Sequence, residues 1–307
     1  MAFTINDATL EAMKVSAQSQ WLEYFNRYTT DALESLVYQD SCSTEFYAPF
    51  HILPVVAGKE WEAGHRQKQT RASFASKKTF TKYEGSFMET EDQLEDDPGL
   101  VARLSNGGMA RDIAESRAKT LKALNAKVLN DNAEDFTGQP LFATNHKYLT
   151  TDTFAQSNII AAEAGDPKVP FWYVTTNDPI VVRVKRHEPK IEVVGQGDDN
   201  HFEYDVLKWG WTQRLLVAPL FWGNIVRSNK PIDEENVQEA ITRLEGFKNM
   251  TGTEDLGNVA TKIIVPKTLR AAAEKLLKVP FNAMGASNFM FGKLDVIVAD
   301  SLSNTVV

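Results

Sequence analysis

From Pro98 to Asn132 the apolar residues Leu100, Leu104, Ala110, Ile113, Ala114, Ala118, Leu121, Leu124 and Val128 recur at the spacing of one helix face. A continuous helix of about 30 residues would be ~45 Å long at 1.5 Å per residue, well beyond the usual length. Such an element is a strut that crosses a subunit and makes the rest of the chain pack along it. Its weak point is Gly107-Gly108, where each glycine costs about 1 kcal/mol relative to alanine. The pattern therefore predicts a kink there, or a helix that starts late.

The segments before the strut have a different character. Asn6 or Asp7 can cap a first helix whose Leu10, Met13, Ala17, Trp21 and Phe25 form one apolar stripe that needs a packing partner. From Ala48 to Phe87 short apolar groups (Phe50, Ile52, Val55, Val56, Trp61, Phe74, Phe80, Tyr83, Phe87) alternate with polar ones, which predicts a long extended arm or hairpin. Its charge is lopsided: Lys59, Arg66, Lys68, Arg71, Lys77, Lys78 and Lys82 stand against Glu60 and Glu62. Glu84, Glu89, Glu91, Asp92, Glu95, Asp96 and Asp97 then follow with no base among them. Solvated faces account for both runs, because exposed ion pairs contribute little singly. The sharper reading pairs this arm with an acidic surface on a neighbouring copy.

After the strut, Phe171 to Val184 and Ile191 to Val194 read as strands around the Asn177-Asp178-Pro179 turn and the break at Pro189. Phe202 to Val226, with Tyr204, Val206, Trp209, Trp211, Leu215, Val217, Leu220, Trp222 and Ile225, has the aromatic and β-branched content of a second sheet region. Pro231 is expected in the first turn of a helix running through Phe247, followed by a buried strand (Ala260 to Val265), a helix (Thr268 to Leu277) and a closing strand (Lys293 to Val298).

Catalytic chemistry finds little purchase. The five histidines are scattered without an HExxH pair, and the one cysteine, Cys42, can build neither a thiolate cage nor an intrachain disulfide. Gly195-Gln196-Gly197 lacks the third glycine of a dinucleotide fingerprint, and no phosphate-binding GxxxxGK[ST] or GxSxG elbow occurs. Asp96-Asp97 and Asp198-Asp199 read as solvated acids. Arg183-Val184-Lys185-Arg186-His187 reads as a charged edge strand rather than a nucleic-acid surface. A formal charge of −8 gives the whole chain no footprint for gripping phosphate backbones. The opening residues lack a signal-peptide pattern and no run reaches ~18 apolar residues, so the expectation is a soluble, unprocessed product with no membrane contact. No catalytic, cofactor or metal site is expected. An extended arm, an overlong helix and many aromatics point to assembly rather than turnover.

Three blocks carry a resemblance: KKTFTKYEGSFMETEDQLEDDPGL (Lys77 to Leu100) leading into the strut, VPFWYVTTNDPIVVRVKRHEPK (Val169 to Lys190), and the segment with FWGNIVRSNKPIDEENVQEAI and TKIIVPKTLRAAAEKLL (Phe221 to Leu277). In this order they resemble the major head subunit of Mu-like bacteriophages. The resemblance implies an α+β chain of the Hong Kong 97-type capsid fold. Residues 1–47 would be an N-terminal arm, 48–90 the extended loop, 91–131 the spine helix, 132–229 the peripheral strands and 230–307 the axial domain. The strand block FGKLDVIVADSL follows PFWYV…FWGNIVRS here, whereas the commoner arrangement of the fold has it first, which implies circularly permuted segments.

The implied function is a major capsid protein forming hexamers and pentamers of an icosahedral tailed-phage head, located in the virion and assembled in the host bacterial cytoplasm. Its implied partners are itself, a separate scaffold protein, a portal, a decoration protein, and double-stranded DNA held by enclosure. The expected contacts between subunits are Trp61, Arg66, Arg71, Lys77 and Lys78 on the loop and Glu91, Asp92, Asp96 and Asp97 on the acidic turn. No lysine–asparagine cross-link is expected. A nanocompartment shell is the alternative within the fold, and a soluble α/β enzyme with a dispersed site is the alternative outside it.

Overall fold

The strut folds in two pieces, and the elements around it follow its kink. The computed structural model describes residues 7–28, 32–47, 51–52, 73–74, 77–148, 154–194, 206–249, 252–281 and 285–305. Helix α1 (Asp7–Tyr28) leads through a 3-10 turn (Ala32–Leu36) into β1 (Val37–Ser41). The chain then runs out and back. β2 (Phe46–Tyr47) pairs antiparallel with β5 (Lys78–Thr79), and β3 (His51–Ile52) with β4 (Ser73–Phe74). This is the ladder of the expected hairpin; residues 53–72, with Trp61, Arg66 and Arg71, lie outside the described residues.

β6 (Thr81–Thr90) ends in a capping box. The Thr90 hydroxyl accepts from the Gln93 N–H (3.4 Å), and Gln93 Oε1 accepts from the Thr90 N–H (3.0 Å), which starts α2 (Glu91–Asp96). Asp97 Oδ1 accepts from Leu100 N (3.1 Å) and caps α3 (Pro98–Arg103), with Pro98 in the first turn where its missing N–H costs nothing. A π turn, Leu104–Gly108, interrupts the helix before α4 (Met109–Asn130). Gly107 has φ +93°, so the glycine pair makes the kink and the strut is not continuous. Helix α1 covers this kink: Ser16 Oγ donates to the Ser105 carbonyl (3.3 Å).

β7 (Ile159–Ile160), β8 (Trp172–Thr175), β9 (Val181–Lys185), β10 (Lys190–Val194), β11 (Val206–Pro219) and β12 (Ile225–Ser228) follow. One sheet has the order β1-β9-β11-β10, with β6 also on β11. β11 holds β6 antiparallel through ten registered pairs, from Val206–Thr90 to Leu215–Thr81. On its other side β9 and β10 lie one after the other, both antiparallel to β11. β9 is therefore an interior strand, paired on its far side with β1 in parallel. This corrects the edge-strand expectation for Arg183 to His187. Buried Arg183 is ion-paired to Glu34, and Lys185 to Glu188, so neither blocks an edge.

Period-two alternation on β11 turns Trp209, Trp211, Gln213 and Leu215 inward. Trp209 and Trp211 meet Met13 and Ala17 of α1 and Leu100, Val101, Leu104 and Ile113 of the strut in one apolar cluster. The second sheet has the order β14-β13-β8-β12-β7, with β13 at Lys262–Val265 and β14 at Asp295–Val298. It packs with α5 (Glu234–Glu245) and α6 (Arg270–Leu277) around the larger core. Asp233 caps α5, its Oδ1 accepting from Asn236 N (2.9 Å). Pro231 consequently stands before the cap and not inside the first turn, because the aspartate is the better N-cap. Among the described residues no helix is long and apolar enough to cross a membrane.

Candidate subunit-contact surfaces

The acidic turn follows from its caps. Asp97 is engaged by the α3 backbone, while Asp92, Glu95 and Asp96 stay exposed on α2. Glu91 opens that helix. Leu94, on the opposite face, is buried in the cluster beneath and fixes which side of α2 meets solvent.

The loop lysines have partners in their own chain. Lys77 Nζ sits 4.4 Å from the Phe46 ring centroid. Lys78 Nζ donates to the Glu134 carbonyl (2.7 Å) and lies 5.6 Å from the centroid of Phe136, a buried ring that Tyr47 meets edge-on at 6.2 Å. These contacts tie the root of the hairpin to the body. The structure does not bring Lys77 and Lys78 together with Glu91, Asp92, Asp96 and Asp97. β6 lies between them, and its ten residues span ~33 Å.

A basic pocket that reading along the chain missed lies on the outer face of the first sheet. Lys82 of β6, Arg214 of β11, Lys190 of β10 and Arg186 surround a cavity of about 450 Å³, with His187, Glu192, Thr212 and Gln213. Cross-strand register does the gathering: Arg214 is opposite Lys82, and Lys190 opposite Thr212. Lys82 pairs with Glu84 at 3.2 Å. Arg186, Lys190 and Arg214 have no carboxylate within ion-pair distance among the described residues. Only the basic run ending at Arg186 hinted at the pocket, because its cations come from separate strands.

A second cleft, about 620 Å³, opens between α1 and the sheet. Arg117 of α4 is 8% exposed there, with its guanidinium 4.2 Å from the Phe25 centroid and 5.5 Å from that of Trp21. Its Nε donates to Gln213 Oε1 (3.0 Å). Burial, followed by the like charge of Arg183, pushes its pKa down to about 10, so it remains a cation at neutral pH. Arg183 is gripped by Glu34, with Nη1 to Oε2 at 2.9 Å, and Asn125 Nδ2 donates to the same oxygen at 3.3 Å. The cleft is a clamp joining α1, strut and sheet through cation–π contacts and one ion pair.

Finally, Val279, Phe281, Phe289 and Phe291 all stand exposed in the stretch between α6 and β14. Lys293 Nζ lies 3.2 Å from the Phe289 centroid. Large rings gathered in one exposed segment are a feature of protein contact surfaces.

A family model described as the Mu-like prophage major head subunit gpT matches residues 11–302. The major capsid protein of Escherichia phage Mu is 27% identical over 260 residues, covering 80% of this chain and 82% of that protein. The Mu-like prophage FluMu major head subunit of Haemophilus influenzae is 26% identical over 179 residues, 54% of this chain and 58% of its own. In structure, a chain of the procapsid of bacteriophage JBD30 superposes with a TM-score of 0.76 at 20% identity, covering 97% of this chain and 100% of that one. A chain of the JBD30 capsid decorated with minor capsid protein trimers gives 0.69 at 13% identity, covering 88% and 90%. The α+β architecture is thus that of phage capsid chains of the Hong Kong 97 type.

Proposed function

The chain belongs to the Mu-like prophage major head subunit family, a family of structural capsid proteins, and from that premise we propose that its copies form hexamers and pentamers that close into an icosahedral head around double-stranded DNA. Assembly takes place in the host cytoplasm from a pool of subunits, with a scaffold protein and a portal as partners and a minor capsid protein on the outside. The single observation that carries this is the family match over nearly the whole chain, on a fold whose elements suit a shell. The kinked strut ends in a 22-residue helix, and the root of the hairpin is pinned by Lys78.

In this reading residues 1–47 are the arm, 48–90 the extended loop, 91–131 the spine, 132–229 the peripheral strands and 230–307 the axial domain. The loop lies over a neighbour, with Trp61, Arg66 and Arg71 reaching it and Lys77 and Lys78 at its base. The acidic turn with Glu91, Asp92, Asp96 and Asp97 faces another copy, and the exposed phenylalanines meet further copies. The segment order is then permuted relative to the commoner arrangement, and the two blocks share one sheet, β14 joining through β13 to β8. Each contact can be weak because many copies repeat it. The net charge of −8 keeps the wall from adhering to moving DNA.

Mass photometry of the purified chain across a range of salt, with negative-stain microscopy of the heavy species, tests the proposal. Rings of five or six copies, or closed shells of phage-head diameter, are expected. A sharp monomer at every salt concentration, unchanged by a co-expressed scaffold, would overturn it, and small shells around a cargo enzyme would replace it with a nanocompartment.

A further inference from the structure

β6 carries opposite charges at its two ends. Lys82, near its start, belongs to the basic pocket with Arg186, Lys190 and Arg214. Its last residue, Thr90, caps α2, where Asp92, Glu95 and Asp96 are exposed. Lys82 and Thr90 are eight residues apart on an extended strand, ~27 Å. Ten registered pairs to β11 hold that strand straight, so the acidic end cannot fold back onto the basic end of the same chain. Lys77 and Lys78 are engaged at the hairpin root. Arg186, Lys190 and Arg214, with no carboxylate within ion-pair distance among the described residues, are a cluster left open for α2, and Lys82 stands beside them on its pair with Glu84.

We propose that the pocket formed by Lys82, Arg186, Lys190 and Arg214 is the receptor for the α2 carboxylates Asp92, Glu95 and Asp96 of the next copy. The inference rests on the head-subunit reading and adds the specific contact that orients successive subunits. A surface basic at one end and acidic at the other is satisfied head to tail. Contacts of that kind repeat in one direction and close into a ring when the rotation between copies is right. On a chain of net −8, copies repel at long range, so a local basic pocket determines register as well as attraction. Packaged DNA is the competing occupant. DNA in the pocket would leave the exposed α2 carboxylates without a partner, whereas a second copy satisfies both surfaces.

The test is a charge swap in the full chain. Lys190→Glu with Arg214→Glu, and separately Glu95→Lys with Asp96→Lys, should each lower the yield of rings and shells by roughly tenfold or more at low salt, since like charges then face each other. The four changes together should restore assembly. Circular dichroism melts establish that each variant folds. As an independent readout, Asp96→Cys with Lys190→Cys in a Cys42→Ser background should give, on mild oxidation, a covalent ladder up to the ring size. Reversals that assemble like the unaltered chain overturn the proposal, as do folded swap variants that do not recover, or a defect confined to DNA content. Failure of the unaltered chain to form rings or shells would instead count against the head-subunit reading, so the two failures are told apart.

Discussion

The imidazole of His146 lies flat on the indole of Trp222, with ring centroids 4.5 Å apart and 3° between planes. Asn158 Oδ1, which accepts from Ala143 N, faces His146 Nε2 at 3.1 Å, so the neutral ring carries its proton on Nε2. Burial holds the pKa down at about 4, from 6.5, against the opposing pull of the Asn158 hydrogen bond. The unfolded chain therefore binds this proton first as pH falls. The contribution to stability is whole above pH ~6.5 and is lost as pH drops toward 4, amounting to about 2–3 kcal/mol by pH 4.5. Unfolding free energies from urea titrations of unassembled subunits at pH 7 and 4.5 should differ less in His146→Gln than in the unaltered chain, by about 2–3 kcal/mol. Equal differences would show that His146 does not titrate as argued.

Glu34 is the counter-ion of a buried arginine. It takes two donors from Arg183 and one each from Asn125 and Gln39 (2.9 Å), and Arg117 adds a second buried cation to the same cleft. Glu34→Gln leaves Arg183 uncompensated and should cost about 3 kcal/mol, whereas Glu34→Leu with Arg183→Met should recover most of that. Chemical denaturation of the subunits reads both. A single variant as costly as the pair would mean that packing, not charge, is at stake.

Gly107 has φ +93°, a conformation that costs an L-residue about 1–2 kcal/mol. An added Cβ would also meet the Gln20 amide and come within 3.1 Å of the Tyr24 hydroxyl. Gly107→Ala should therefore destabilise by about 2 kcal/mol. Because α1 covers the kink, amide exchange in Ser16–Tyr24 should speed up more than exchange in α5. Uniform acceleration throughout the chain would separate the kink from α1 docking.

Much of this fold was legible because its strongest signals are local. The strut's period, the glycine pair that breaks it and the alternation around Trp209 and Trp211 all lie within short windows of sequence, whereas the extended arm becomes a hairpin only because β2 and β5 pair across the length of the loop. β1 was not legible: Val37–Ser41 has little apolar content and is a strand because β9 pairs with it in parallel. The edge reading of Arg183 to His187 failed for the same reason, since its missing neighbour was the strand that could not be seen. The contact candidates divide similarly. The acidic turn stands out as a run, while Lys82, Arg186, Lys190 and Arg214 become a cluster only when β6, β10 and β11 are in register. Trp61, Arg66 and Arg71 lie outside the described residues.

That register also depends on Gly85, where a side chain on β6 would run into Ser116 of the strut. Trp211, directly opposite Gly85 on β11, is buried and donates its indole N–H to Ser116 Oγ of α4 at 3.2 Å. A Cβ on Gly85 would lie 2.5 Å from that oxygen and 2.6 Å from the indole nitrogen, inside the bond itself. Gly85→Ala should then combine overpacking with a buried donor left without its acceptor, costing about 2–4 kcal/mol. Ser116→Ala alone removes only the acceptor and should cost about 1–2 kcal/mol. The two together should cost less than their sum, because Ser116→Ala frees the space the new methyl needs. Thermal melts of the unassembled subunits complete the cycle. Strict additivity would mean that the strand moves away as a body, and β6 would then be held by β11 alone rather than by the strut beneath it.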